Sequence, residues 1–290
     1  MMKKYALTLC SALLLSVTSS AWAAPKIIVG SADFPESQLL GTIYAGALEA
    51  QNIPVEKKLN IGSREVYIPA LLDGSITFIP EYSGAMLSYL DAKNEAHGSK
   101  EVAAALATKL PAKIKMLDIS PAEDIDVLAV TQKTAAKYKL KTIEDLKSIA
   151  GQLVLGGPAE WKTRHEGISG LREVYGLNFK RFKVLDVGGP LTLSAMKNNQ
   201  VQVADLLSTT PAIKKDRLVV LEDTKHLFAA QNIVPLVADG SLDGSAAAIV
   251  NKVSAQLTTD DLIDMNEQMA EFVGVDEVAH QWLLKHGFAK

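Results

Sequence analysis

From Lys26 onward, short β-branched runs alternate with longer stretches in which apolar residues recur every three or four positions. Few folds accept that pattern. A strand can return parallel to its neighbour only through a crossover of about a dozen residues or more, usually a helix, so the alternation predicts an α/β chain with largely parallel sheets. Ile27-Ile28-Val29 reads as the first strand. After the Gly30–Pro35 loop, Leu39, Leu40, Ile43, Tyr44, Ala47 and Leu48 lay one apolar stripe along a helix. Val55–Ile61 resumes as strand. Val102, Leu106 and Leu110 mark a further helix, Val127–Val130 a strand, and Thr142 with Asp145 the capping spacing of a helix start over Thr142–Leu146. Later strands are expected at Leu153–Leu155, Lys183–Val187, Val201–Ala204, Leu218–Leu221 and Ile233–Val237. The C-terminal part is helical, with Thr258 and Thr259 as caps before Leu262, Met265, Met269 and Phe272, and a last helix over Val275–Leu284 closed near Gly287. Gly156-Gly157-Pro158 and Gly188-Gly189-Pro190 follow predicted strands directly. Loops of that kind are where α/β folds bind ligands, because unpaired backbone N–H groups gather there.

The chain before Lys26 reads differently. Met1-Met2-Lys3-Lys4 is a short positive start, Ala6–Val17 is an apolar run, and Ala21-Trp22-Ala23 places small residues where a signal peptidase reads. Residues 1–23 are therefore expected to be a cleaved signal peptide. The run is too short for a membrane anchor, which needs roughly 18 apolar residues or more. A lipid-modified Cys10 is disfavoured because Leu9 before it is bulky. Cleavage removes Lys3, Lys4 and no acid, leaving 28 basic against 33 acidic residues, and it removes the only cysteine. Disulfides, thiolate nucleophiles and cysteine-bound metals are thereby excluded from the mature chain. A pI near 6.0 supplies no global positive field, so nucleic acid is excluded as a partner. No second apolar stretch approaches membrane length, so no direct insertion is expected.

Catalytic signatures are missing. The sequence has no phosphate-binding Gly-x-x-x-x-Gly-Lys loop, no Gly-x-Gly-x-x-Gly, no His-Glu-x-x-His and no Gly-x-Ser-x-Gly elbow. His280 and His286 lack a third ligand at metal spacing and read as surface or cap residues. Asp239–Gly244 lacks the alternating oxygens of a calcium loop and reads as a turn. Glu123-Asp124-Ile125-Asp126 could supply an acid/base pair, but carboxylates this close in sequence are expected in a solvated loop.

Six blocks, in order, carry a resemblance. They are Lys26–Gly41, Lys58–Gly62, Ile79-Pro-Glu-Tyr-Ser-Gly84, Thr163-Arg-His-Glu-Gly167, Val203-Ala-Asp205 with Ser208-Thr209, and Asn232-Ile-Val-Pro-Leu236. Together they resemble the substrate-binding proteins of glycine betaine/choline/osmoprotectant ABC importers across essentially the whole mature chain. The resemblance implies a two-lobed, type II periplasmic-binding-protein fold, each lobe a mainly parallel sheet flanked by helices. Lobe 1 would comprise residues 24–126 and 232–290 and lobe 2 residues 127–231, with crossing strands near Ile125–Val130 and Gln231–Val234. It also implies a periplasmic monomer that closes on a small solute and presents it to a permease and its ATPase, without cofactor, metal or catalytic residue.

In such proteins an aromatic cage holds a quaternary ammonium and basic or hydroxyl groups hold a carboxylate. By the matching positions, Tyr82 keeps the cage tyrosine and Arg164 the carboxylate-binding arginine. Ser83, Ser208 and Thr209 are candidate hydroxyl donors at loop positions, and Ser31 in the opening block is a further candidate ligand-binding residue. Leu207 and Gln231 stand where cage aromatics are usual, Val127 occupies a further such position, and Ala32 and Ala85 replace Lys and Thr. That pocket is expected to bind betaine weakly. Arg64 either faces the cleft or is solvated; if it joins Arg164 there, with Asp33 as counter-charge, the solute is zwitterionic or carboxylate-bearing. Trp161 either lines the cleft mouth or packs under the loop, His165 and Glu166 either orient Arg164 or sit on the surface, and Trp282 is expected in the core. Two rival functions stay open: a periplasmic sensor that reports a solute to a membrane receptor, and an exported enzyme using Asp33, Glu36 and His165.

Overall fold

A computed structural model describes residues 26–289; the expected signal peptide lies outside them. Among the described residues, ten strands build two five-stranded sheets. In the first, β1 (Ile27–Gly30), β2 (Val55–Lys58), β3 (Phe78–Tyr82) and β4 (Ile114–Met116) are joined by β10 (Ile233–Ala238), in the order β2-β1-β3-β10-β4. In the second, β5 (Asp126–Val130), β6 (Val154–Gly157), β7 (Arg181–Val184), β8 (Val203–Leu207) and β9 (Val219–Val220) stand in the order β7-β6-β8-β5-β9. The chain therefore leaves the first sheet after β4 and returns to it only with β10. Glu123 and Asn232 form an antiparallel bridge where the two crossings pass.

Both sheets are mixed. β1 runs parallel to β2 and β3, and β6 runs parallel to β7 and β8. The strands that arrive through a crossing run the other way: β10 is antiparallel to β3 and β4, and β5 to β8 and β9. Parallel order thus holds where a helix returns the chain and stops where a crossing delivers it.

Eleven α-helices of the described residues cover these sheets: α1 (Pro35–Glu49), α2 (Arg64–Asp73), α3 (Ser83–Leu90), α4 (Ser99–Lys109), α5 (Gln132–Tyr138), α6 (Gly170–Tyr175), α7 (Pro190–Lys197), α8 (Ala212–Lys215), α9 (Gly244–Gln256), α10 (Thr259–Ala270) and α11 (Val275–Lys285). On one face of the first sheet, the predicted α1 stripe packs with α9, α10 and α11 around Tyr44, Phe78 and Trp282. On the other, α2, α3 and α4 pack around Ile68, Ile79 and Leu106. The second sheet has its own two clusters, one around Leu155, Trp161 and Tyr175 and one around Ala204, Leu206 and Met196.

The capping signals hold: Thr258 accepts from Asp261 N–H to start α10, and Thr142 with Asp145 caps a 3-10 turn over Ile143–Ser148. The predicted second strand stops at Lys58, because Asn60 at φ 58° and Gly62 at φ 137° turn the chain toward α2. The strand expected over Lys183–Val187 starts earlier, at Arg181, and ends at Val184. Strand β3, in the middle of its sheet, carries Pro80 opposite Pro235 of β10. Opposed residues of an antiparallel pair alternate between two hydrogen bonds and none, so two prolines fit at a position where neither N–H is required. His286 ends α11 stacked on Trp282 at 4.2 Å between centroids, His280 is exposed, and Trp282 is buried, each as the sequence suggests.

Candidate functional site

A cleft opens between the two sheets, lined by residues of both. Its walls come from the C-terminal ends of strands on both sides, where α/β topology leaves loops free to face a ligand. From the first sheet, the loop after β1 supplies Ala32, Asp33 and Phe34, the loop after β2 supplies Ser63, α2 opens with Arg64, and β3 ends in Tyr82. From the second, the segment after β6 supplies Pro158, Glu160, Trp161 and Arg164, and β8 ends in Leu207. The crossings supply Asp124, Asp126 and Gln231.

Six residues singled out in the sequence therefore share one cavity: Tyr82, Arg164, Asp33, Arg64, Leu207 and Gln231. The other four do not line it: Ser31, Ser83 and Thr209 are buried and Ser208 is exposed. Ser31 is fully buried, donating to Ala32 C=O at 2.9 Å and accepting Asn60 N–H at 2.8 Å. Ser83 accepts Asn232 N–H at 3.0 Å and so ties α3 to the returning crossing. Gly84 allows that approach, since a Cβ there would lie 2.5 Å from Ala230 C=O. Ser208 donates to Asp124 Oδ1 at 3.0 Å. Thr209 donates to Glu36 Oε2 at 2.8 Å, and its N–H to Asp124 Oδ1 at 2.9 Å.

Both guanidinium groups are held by carboxylates of the protein. Arg64 forks onto Glu81, with Nη2 to Oε2 at 3.0 Å, and Tyr67 donates to the same carboxylate at 2.7 Å. Arg64 thus sits at the cleft wall, buried rather than solvated, with Glu81 as its counter-charge where Asp33 was expected. Arg164 forks onto Glu65 of α2 across the cleft, at 3.0 and 2.9 Å. Burial alone raises the Glu65 carboxyl, but hydrogen bonds from Arg164 and Ser63 outweigh it and bring the group down to about 2. Glu166 is buried beside Arg164, and half-buried His165 lies on a second cavity shared with His97, His226 and Gln231.

The acidic run is not a solvated loop. Asp124 is fully buried, Asp126 is half-buried, and both line the cleft, because the run is the crossing itself and the halves pack around it. Asp126 accepts Gln231 Nε2 at 2.7 Å. Burial, and next the Glu36 charge, hold Asp124 well above the ordinary carboxylate range; burial and the Glu166 charge raise Asp126. Spacing in sequence gave no sign of this, since burial of a crossing depends on both lobes.

Aromatic residues were also undercounted. Phe34, Tyr67 and Trp161 join Tyr82 along the cleft. Phe34 and Tyr82 lie 5.7 Å apart between ring centroids, and Tyr82 donates to Glu36 Oε1 at 2.8 Å. Trp161 is 2% exposed, stacked on Phe228 at 6.0 Å, so it both packs and lines the wall. The place of Phe34 inside the Gly30–Pro35 loop was the available signal.

The chain is 26% identical to the carnitine transport binding protein OpuCC of Listeria monocytogenes, covering 99% of this chain and 98% of that one. It is 25% identical to the glycine betaine-binding protein YehZ of Escherichia coli, covering 96% of each. Among solved structures, that of a glycine betaine/carnitine/choline ABC transporter superposes with a TM-score of 0.69 over 90% of this chain and 99% of that chain, at 24% identity. Lactococcal OpuAC, closed around glycine betaine, superposes with a TM-score of 0.66 over 91% of this chain and 96% of that chain, at 15% identity. The order of strands, the two crossings and the cleft are those of a type II periplasmic binding protein. A family match described as the substrate binding domain of ABC-type glycine betaine transport systems spans residues 25–285, and the chain belongs to that family.

Proposed function

We propose that this chain is the periplasmic solute-capturing component of an ABC importer, holding a small zwitterionic solute between two lobes that turn about the Glu123–Asp126 and Gln231–Ile233 crossings. The single observation that carries this reading is that Tyr82 from one sheet and Trp161 and Arg164 from the other face one cavity. Ligand binding then favours the closed form, which a permease and its ATPase subunit take as their signal. The capture step makes and breaks no covalent bond.

Betaine affinity is weak in this reading. Leu207, Gln231 and Val187 occupy wall positions that give a trimethylammonium no π face, so the aromatic side formed by Phe34, Tyr67, Tyr82 and Trp161 does not close around it. Both arginines are already paired, so a solute carboxylate competes with Glu65 for Arg164. A purely anionic solute also meets Asp33, Asp124, Asp126 and Glu160. A zwitterion satisfies both demands. Native mass spectrometry of protein purified without denaturation tests this: a one-to-one complex with a small solute is expected, absent in Tyr82→Ala and Trp161→Ala. Nanomolar binding of betaine or choline indifferent to Tyr82→Ala contradicts it.

A further inference from the structure

The second cavity gathers three histidines that the cleft does not use, His97, His165 and His226. Two of them come from opposite halves. His97 lies between α3 and α4, and Ala96 beside it packs on the first-sheet core. His226 lies between β9 and β10, and Leu227 and Phe228 beside it pack into the second-sheet core. Their rings nevertheless meet, with centroids 5.8 Å apart and planes inclined by 40°. Backbone contacts fix that meeting. Ala230 N–H donates to His97 C=O at 2.9 Å, and His226 N–H donates to Asp223 C=O at 3.2 Å. Asp223 Oδ2 also accepts Phe228 N–H at 2.8 Å, so the turn carrying His226 is held at both ends. His226 itself sits at φ 54°, in the left-handed region that histidine enters more readily than most side chains.

Both rings are exposed, and exposure gives an ion a way in. Among the described residues His165 and His286 have polar partners, whereas His97 and His226 have only each other. Two imidazoles that each place a ring nitrogen about 2.0–2.1 Å from one ion have centroids roughly 5–6 Å apart, so rotation of the exposed side chains suffices to share one. Charge nearby does not oppose a dication. Lys225 donates to Val174 C=O at 3.0 Å and lies 3.2 Å from Glu144, and buried Glu166 lines the same cavity. Nitrogen ligands favour transition metals over magnesium and calcium, which prefer oxygen. No group of three metal-binding side chains forms among the described residues, so water would complete the shell and the ion would exchange freely.

We propose that His97 and His226 form a site for a divalent transition-metal ion such as zinc, held by both halves at once. An ion there fastens a loop of one half to a turn of the other, close to the returning crossing. The pair does not line the cleft, so the site stands or falls separately from solute capture.

Calorimetry with ZnCl2 on the chain purified without a histidine tag, at pH 7.5 and pH 5.5, tests this. One zinc per chain is expected at pH 7.5, with a dissociation constant on the order of 10 μM for two nitrogen ligands. His97→Ala and, separately, His226→Asn should each weaken binding by about tenfold or more; asparagine keeps the left-handed turn. His280→Ala, on α11 and outside that cavity, should leave it unchanged. Imidazole binds metal only when neutral, so binding should also weaken by about tenfold or more at pH 5.5. Zinc should raise the melting temperature of the parent and of neither pair variant. Zinc bound equally by the parent and both pair variants, or not bound at about 1 mM, overturns the site. Magnesium bound as tightly as zinc overturns it too, because oxygen would then be the ligand.

Discussion

Arg64 and Arg164 make the same two-pronged contact with a carboxylate in opposite surroundings. The Arg64–Glu81 pair is sealed, with side chains 6% and 0% exposed, and both partners belong to the half built on the first sheet. The Arg164–Glu65 pair is open, with side chains 23% and 41% exposed, and it joins the two halves across the cleft. A sealed pair has been moved out of water with the fold and costs heavily if either partner is removed. An open pair is screened, and its net contribution is small. The first therefore acts as a strut that holds the cleft wall, and the second as a latch that can open and re-form. The hinged capture proposed above needs both kinds.

The largest expected effect breaks the strut. Arg64→Ala leaves the buried Glu81 carboxyl with hydrogen bonds but no cation, and unfolding stability measured in urea should fall by about 3–5 kcal/mol. A loss below about 1 kcal/mol would show the pair to be as replaceable as the latch. The double replacement Arg64→Met with Glu81→Leu should recover most of the loss, because neither partner is then stranded.

Asp205 extends the contrast, being sealed like Glu81 but with no cation. Burial, then Asp126, raise its folded pKa above the ordinary value of 3.8, so above that pH the folded protein holds a proton that the unfolded chain has lost. Stability then falls as pH rises through the folded value. Asp205→Asn should remove that slope and raise stability at pH 8 by about 1–2 kcal/mol, with little change near pH 4. A variant less stable than the parent at pH 8 would mean the carboxylate is answered by a donor.

A smaller effect sharpens the latch. Glu65→Gln should change unfolding stability by less than about 1 kcal/mol, yet enlarge the radius of gyration of the ligand-free protein in solution scattering. In the parent, the Glu65 value is lowered from 4.5 to about 2 by the closed contact, so the preference for closure is complete above the higher figure and lost as pH falls through the lower. Scattering between those pH values should show progressive opening of the parent and a flat response from Glu65→Gln.

How much of this was readable in the sequence follows the range of the interactions. Strands such as β1 and β10 and helices such as α1 were legible, because their apolar spacing is local. The Thr258 cap was legible for the same reason. β3 was not, since Pro80 reads as a breaker until its partner Pro235 is known. At the cleft, Tyr82, Arg164 and Gln231 came from the family resemblance, and the structure brings them to one cavity. Their counter-charges did not come with them. Glu81 meets Arg64 from 17 residues away and Glu65 meets Arg164 from 99. Asp124 looked like solvated loop because its burial depends on two lobes packing around one crossing.

Distance measurement between the halves tests most directly whether they clamp on each other through the latch. Residues 24–290 contain no cysteine, so in protein made from that span Ala107→Cys on α4 and Lys180→Cys just before β7 would carry the only two spin labels. The ligand-free parent should give one short distance, and the Glu65→Gln variant an added, longer population that collapses to the short one with the natively bound solute. Identical distributions in parent and variant, with and without that solute, would contradict two lobes that open and close.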